Sequence, residues 1–434
     1  MIESDSHLDF AVPPTETPRR AETTGRYIVV FADDESDPSG ILRSAGGVSD
    51  VADSRDLRDS PEAAAVATEE STVFAELGMA VVSADADRIG SLQTSAQAGA
   101  VLSVWPELVH HVLHDPPSGY VEGYRDGVSD LAGRLTTDRV GSSASGPEPA
   151  DFGDDAQATW GLHAVGALSS DQSGSGVKVA VLDTGFDETH PDFAGRSITA
   201  QSFVQGEPPH DGHGHGTHCI GTSCGPKHPA SGRRYGVAYE ADIFAGKVLS
   251  NAGSGSDGGI LMGIDWAVAN DCAVISMSLG ADVEAPHPPY TTAGRRALNR
   301  GSLIVAAAGN NAGRPGDPGF VGAPANSPHV MAVAALSQRL TVAPFSARSL
   351  PGRGGQVDLA GPGVAVYSSW PMPQSYHTIS GTSMATPHVA GLAALWAQRT
   401  GYRGRDLWCV LAQYAQRLAE PSVDIGGGLA LAPH

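Results

Sequence analysis

Three stretches of this 434-residue chain hold side chains suited to acid–base or nucleophilic chemistry. Val179-Ala180-Val181-Leu182-Asp183-Thr184-Gly185 is an apolar run ending in a carboxylate. In parallel α/β sheets functional groups gather just beyond the carboxyl ends of strands, although Asp183 could equally open a turn. Asp211-Gly212-His213-Gly214-His215-Gly216-Thr217-His218 interleaves imidazoles with glycines. The glycines permit close backbone approach, and the imidazoles can serve as bases or as metal ligands. Gly381-Thr382-Ser383-Met384-Ala385-Thr386-Pro387-His388-Val389-Ala390-Gly391 opens a run of small and apolar residues of helical character. A serine at such a helix start lies near unpaired backbone N–H groups that can stabilise an oxyanion, and an N-cap role for Ser383 or Thr382 is the plainer alternative.

The elements that must position these groups follow from the apolar pattern. Beyond Trp160, short apolar runs at 177–182, 241–249, 273–278, 303–308 and 330–335 alternate with helical stretches at 259–270 and 292–299. Nearly continuous apolar strands separated by helices indicate a doubly wound parallel sheet, an α/β fold, over residues 159–434. Upstream, Arg26–Phe31 and Ala80–Ser83 read as strands, 87–96 as a helix, and Val101–Trp105 as a strand ending at Pro106. Residues 26–112 thus form a small α+β unit compatible with a ferredoxin-like arrangement. Residues 1–25, rich in Pro, Thr and Glu, read as a disordered segment, and 113–158, with its Gly-Ser-Ser-Ala-Ser-Gly-Pro run, as an exposed linker open to a proteolytic nick.

The three stretches together resemble the subtilisin-like serine protease family. Asp183, His215 and Ser383 stand in that family's chain order, and LDTG, HGTH and GTSMATPHVAG resemble its signatures. The resemblance implies a serine endopeptidase made as a self-processing precursor, with these three residues as its triad. It implies further that Asn310, in Ala306-Ala307-Ala308-Gly309-Asn310, supplies the side-chain donor of an oxyanion hole. Gly253, Ser254, Gly255 and Ser278, Leu279, Gly280 resemble the two segments that clamp a peptide as a strand. Ala307, Gly309 and Gly322 belong with the substrate-binding residues, Gly322 leaving room at the base of the primary pocket. Asp257 falls where an aromatic is common, which implies an outer subsite that is less apolar and open to basic residues. His218 and His388 are expected to be structural, His213 solvent-facing and Cys219 a buried thiol. Residues 26–112 resemble the family's propeptide, an intramolecular inhibitor; a permanent accessory domain is the alternative.

Departures and rivals belong beside this. No cofactor is required; a calcium site is suggested by His190-Pro191-Asp192 but lacks the completing loop, where the basic segment 225–234 carries no carboxylate. His213, His215 and His218 have an HxHxxH spacing similar to metallo-β-lactamase-type hydrolases, except that Thr217 stands where those have Asp. A zinc-dependent hydrolase and a catalytically silent binding protein are therefore the competing functions. A formal charge of −21 excludes nucleic acid as a natural partner. No apolar stretch is long enough to span a membrane, and the acidic start Met1-Ile2-Glu3-Ser4-Asp5 is unlike a signal peptide, which leaves the compartment open. The four cysteines lack the spacings of a disulfide framework or a zinc site.

Overall fold

The structure, a computed structural model, describes residues 21–57, 71–96, 99–113, 151–352 and 354–434. The upstream unit holds β1 (Thr23–Phe31), β2 (Val51–Asp53), β3 (Ser71–Phe74), β4 (Met79–Val82) and β5 (Val101–Val112). β1 lies antiparallel between β4 and β5, β3 is antiparallel to β4, and β2 runs parallel to β3. Helices Pro38–Ser44 and Ala86–Ala96 accompany this sheet. Alternation along β1 explains how the sheet is used. Val29 and Phe31 join Leu42, Ile89 and Leu92 in a small core, whereas Ile28 and Val30 belong to the large core of the downstream unit. Successive strand side chains point to opposite faces, so a strand buried on both sides reads as an unbroken apolar run.

The downstream unit is the expected doubly wound α/β fold. It contains β6 (Lys178–Asp183), β7 (Ile198–Ser202), β8 (Asp242–Lys247), β9 (Ser254–Ser256), β10 (Val274–Met277), β11 (Leu279–Gly280), β12 (Leu303–Ala307), β13 (Met331–Leu336), β14 (Leu359–Pro362), β15 (Val366–Ser369) and β16 (Tyr376–Ile379). Seven of these form one sheet in the order β14-β13-β12-β10-β6-β8-β7, and every pairing in it is parallel. Helix Thr382–Thr400 is buried from Thr382 to Ala397 and packs on β10, β12, β13 and β14 and on helix His215–Cys224. Its small residues allow that close approach.

Several boundaries differ from the sequence expectation. β5 continues through Pro106 to Val112, because Pro106 coincides with a shift in register against β1, where a missing N–H costs no ladder bond. Thr23–Gly25 belong to β1 instead of a disordered segment, tied down where Val109 N–H donates to Glu22 O. The rest of that segment, residues 1–20, lies outside the described residues, as does 114–150 of the expected linker. Residues 151–158 are part of the downstream unit: Phe152 N–H donates to Gln338 O, and Asp154 accepts the Trp160 N–H at 2.8 Å. β7 and helix His215–Cys224 escaped the apolar pattern altogether.

Candidate active site

Asp183 ends β6, buried, and its Oδ1 accepts the Thr184 N–H at 2.7 Å and lies 2.8 Å from His215 Nδ1. A carboxylate can only accept, so Nδ1 carries the shared proton. His215 is the first residue of its helix, a segment of Gly, Thr, Ser and Cys with little intrinsic helical preference. Tertiary contacts hold it. Asp211 Oδ1 accepts the N–H groups of His213 and Gly214 at 3.0 and 2.8 Å, while its Oδ2 accepts the Thr217 N–H and hydroxyl at 2.8 and 2.7 Å. The Thr184 hydroxyl donates to Asp211 at 2.9 Å and accepts the Gly216 N–H at 2.8 Å, which ties the strand end to the imidazole's turn. Glycine is required at 216, since a Cβ would lie 2.3 Å from the Gly185 carbonyl oxygen. Asp211 and Thr184 were not singled out from sequence; an Asp four residues before the histidine was the capping signal available.

Ser383 is the second residue of helix Thr382–Thr400, where backbone N–H groups have no intrahelical acceptor. Pro387, four residues on, has no N–H to give back, so the Ser383 carbonyl would be orphaned. The Ser278 hydroxyl at 2.8 Å and the Cys219 thiol at 3.6 Å donate to it instead. Cys219 Sγ also stands 3.8 Å from His215 Nδ1, so one buried thiol bridges the serine's backbone and the imidazole. Ser383 Oγ donates to the Ser278 carbonyl at 3.3 Å, and His215 Nε2 has no hydrogen-bond partner among the described residues.

Burial disfavours the imidazolium form of His215, but the Asp183 carboxylate outweighs it and holds the ring's pKa well above the usual histidine value. Burial pushes two others the opposite way, helped at His218 by the charge of His215: His218 falls to about 3 and His388 to about 4, each neutral and bonded to a main-chain carbonyl (Val366 O, Met384 O). Burial also raises the Cys219 thiol, which argues against a thiolate nucleophile. All four cysteines are free thiols.

Asn310 follows β12. Its Oδ1 accepts both the N–H and hydroxyl of Thr382, at 2.9 and 2.8 Å, which aims Nδ2 the other way. There Nδ2 reaches the Leu113 carbonyl oxygen at 3.4 Å. Leu113 arrives because β5 runs on between β9 and β11, antiparallel to both: His110 faces Gly255, His111 faces Ser254 and Val112 faces Leu279. The Val112 N–H donates to Gly253 O at 2.8 Å. A Cβ on Gly280 would lie 3.3 Å from the Leu113 side chain, so that side chain rests on this glycine. Residues 109–113 are thus held as an extended peptide across the ends of the parallel sheet.

Other expected residues fall differently. Gly322 serves a close backbone approach: a Cβ there would lie 2.5 Å from Ala281 O, beside the Ala281–Ala323 bridge. Gly309, with φ +125°, donates its N–H to the Thr382 hydroxyl at 3.2 Å, and Ala307 is the buried last residue of β12. Asp257 is fully buried beneath β5, where it accepts the Leu108 N–H. His213 is half-buried rather than solvent-facing. The zinc reading fails on geometry. Among the described residues the ligand-type atoms that converge are those of Asp183, His215 and Cys219, whereas His218 points to Val366 O. Asp192 does not fit calcium either, since its carboxylate accepts the Ala230 N–H and the Tyr235 and Tyr376 hydroxyls, all donors.

The sheet order and the grouping of Asp183, His215 and Ser383 place the chain in one class. Residues 174–424 match the Subtilase family (Peptidase_S8), and the chain belongs to that family. It is 42% identical over 244 residues to Subtilisin Savinase of Lederbergia lenta, covering 55% of this chain and 84% of the relative. It is 41% identical over 227 residues to Thermitase of Thermoactinomyces vulgaris, covering 52% and 76%. Against M-protease of Shouchella clausii it is 42% identical over 244 residues, 55% of this chain and 60% of the relative's length.

Proposed function

We propose that this protein is a serine endopeptidase that processes its own precursor. The observation that carries the reading is residues 109–113 bound as a strand between β9 and β11, with the Leu113 carbonyl against Asn310. In the reaction, Ser383 Oγ turns from the Ser278 carbonyl and attacks a carbonyl carbon at that position. His215 Nε2 takes the hydroxyl proton, and Asp183 holds the ring and stabilises the imidazolium. Asn310 Nδ2 and the Ser383 N–H stabilise the tetrahedral oxyanion. His215 then protonates the leaving amine, and water hydrolyses the acyl-enzyme by the reverse sequence. Main-chain pairing with both flanking strands recognises a protein or peptide without much demand on its sequence.

The bond cleaved in the precursor is the one after Leu113, and residues 21–113 act as an intramolecular inhibitor until released. Polar contacts across the interface support this. Arg296 donates to the carbonyls of Phe31, Leu77 and Gly78 and pairs with Asp33 at 2.6 Å. Asp265 accepts the N–H groups of Glu76 and Leu77 and the Ser54 hydroxyl, and burial lifts its pKa to about 6. Glu107, paired with Arg26, accepts the Gly258 N–H at 2.8 Å at a helix start. No helix among the described residues is long and apolar enough to cross a membrane.

The test is inhibition of casein hydrolysis together with the processed N-terminus. A serine-directed organophosphate should abolish activity, a chelator should leave it, and the new N-terminus should begin at His114. Chelator sensitivity with organophosphate resistance would overturn the reading.

A further inference from the structure

A second buried cluster lies along the bound strand, four residues before the proposed scissile bond. His110 and Asp257 are both completely buried, with His110 Nε2 2.7 Å from Asp257 Oδ1. Asp257 Oδ2 is already engaged: it accepts the Leu108 N–H at 2.7 Å and stands 3.1 Å from His287 Nε2. The Tyr290 hydroxyl lies 3.3 Å from His110 Nε2, and its ring meets the imidazole edge-on, with centroids 5.4 Å apart. Asp257 itself is held ionised: burial opposes the charge, but hydrogen bonds from His110 and His287 prevail and lower its pKa.

We propose that Asp257, His287 and Tyr290 form an acidic, water-excluding subsite that selects histidine four residues before the cleaved bond. This deepens the endopeptidase reading and rests on it. Oδ2 is engaged by His287 and by the Leu108 N–H of the bound strand, so Oδ1 faces the occupant, beside the Tyr290 hydroxyl, which also interacts with Asp257. A planar side chain with one donor facing it satisfies that oxygen and packs against the Tyr290 ring. Phenylalanine and alanine would bring no donor to Oδ1, whereas histidine meets it at 2.7 Å and in exchange buries Nδ1 without a partner among the described residues. A guanidinium would bring five donors to a pocket that offers one acceptor. His110 is the solution the chain carries itself, spaced from Leu113 by the alternation that also buries Val112 on the same face.

The test uses the full chain, incubated until its own processing is complete, and internally quenched peptides sharing leucine at the cleaved position. They differ only in the fourth residue upstream: His, Ala, Phe or Arg. The expected result is a kcat/KM for the histidine peptide about tenfold or more above those of the other three, as a charge-assisted hydrogen bond in a dry site would give. In Asp257→Leu the His-to-Phe ratio should fall to one or invert. Each protein is compared with itself, so a lower yield of folded variant does not blur the ratio. Equal rates within threefold, or a phenylalanine preference in the unaltered protein, would overturn the subsite. If no peptide is cleaved while Ser383→Ala behaves identically, the endopeptidase reading falls and the subsite with it.

Discussion

Two buried Asp–His pairs lie along one cleft, and they have nearly the same dimensions. Asp183 and His215 are 2.8 Å apart, Asp257 and His110 2.7 Å. Each imidazole leaves its other nitrogen without a partner among the described residues, His215 Nε2 and His110 Nδ1; what differs is which nitrogen meets the carboxylate and where the partners sit in the chain. His215 is bonded through Nδ1, and its Nε2 has no partner among the described residues beside the serine-bearing helix. His110 is bonded through Nε2, under the Tyr290 ring. A buried carboxylate can therefore tune a base in one place and hold a ligand in the other.

Removing the carboxylate at each pair should separate the roles. Asp183→Asn should lower kcat by about 10⁴, the cost of losing the tautomer-fixing carboxylate in a serine protease. Asp257→Leu should instead redistribute kcat/KM among peptides by about tenfold. Between these, Asn310→Ala should lower kcat by about 10² to 10³ with little change in KM, the cost measured for the equivalent loss in subtilisin. Steady-state kinetics on one peptide series distinguishes all three.

The pH profile sharpens the same contrast. His215 must be neutral to accept a proton, and Asp183 raises its pKa above the ordinary value. Activity should consequently be lost as pH falls, with the acid limb of kcat/KM centred above the usual ~6.5 of histidine. In Asp183→Asn burial is opposed only by Cys219, and the limb of the residual activity should move to lower pH. A limb that does not move would detach Asp183 from the base.

The smallest effect concerns a buried carboxylate with no imidazole at all. Asp358 accepts the Ala332 N–H at 2.7 Å, and burial pushes its pKa to about 7. A carboxyl whose folded pKa is raised adds stability below its unfolded pKa and loses it as pH rises through the folded one. The thermal midpoint should thus fall between pH 4 and pH 8 by about 2–4 °C more in the native protein than in Asp358→Asn, the shift ~1 kcal/mol produces in a domain of this size. Parallel curves would show that Asp358 titrates normally.

Much of this was legible in the chain because it was local. The strands of the parallel sheet announced themselves as apolar runs, and Asp183, His215, Ser383 and Asn310 each stood in a short stretch with its own signal. What stayed hidden depends on contacts between distant residues. β7, Ile-Thr-Ala-Gln-Ser, is a sheet edge with no apolar run. Helix His215–Cys224 is built from weak helix formers and held by Asp211 and Thr184. Pro106 suggested a strand end, whereas the chain passes it at a register shift. Asp257 suggested an outer subsite, but nothing near it in sequence reveals its occupant His110, 147 residues away.

The central claim is that Ser383 cleaves the chain after Leu113 with the machinery that cuts other proteins. The most direct measurement is the intact mass of the full chain and of Ser383→Ala after incubation, read alongside casein hydrolysis. The account predicts that the native chain loses residues 1–113, about a quarter of its 44.5 kDa, and digests casein, while the variant keeps its full mass and is inert. Equal shortening and equal casein hydrolysis in both would contradict it, because the nucleophile would then lie elsewhere.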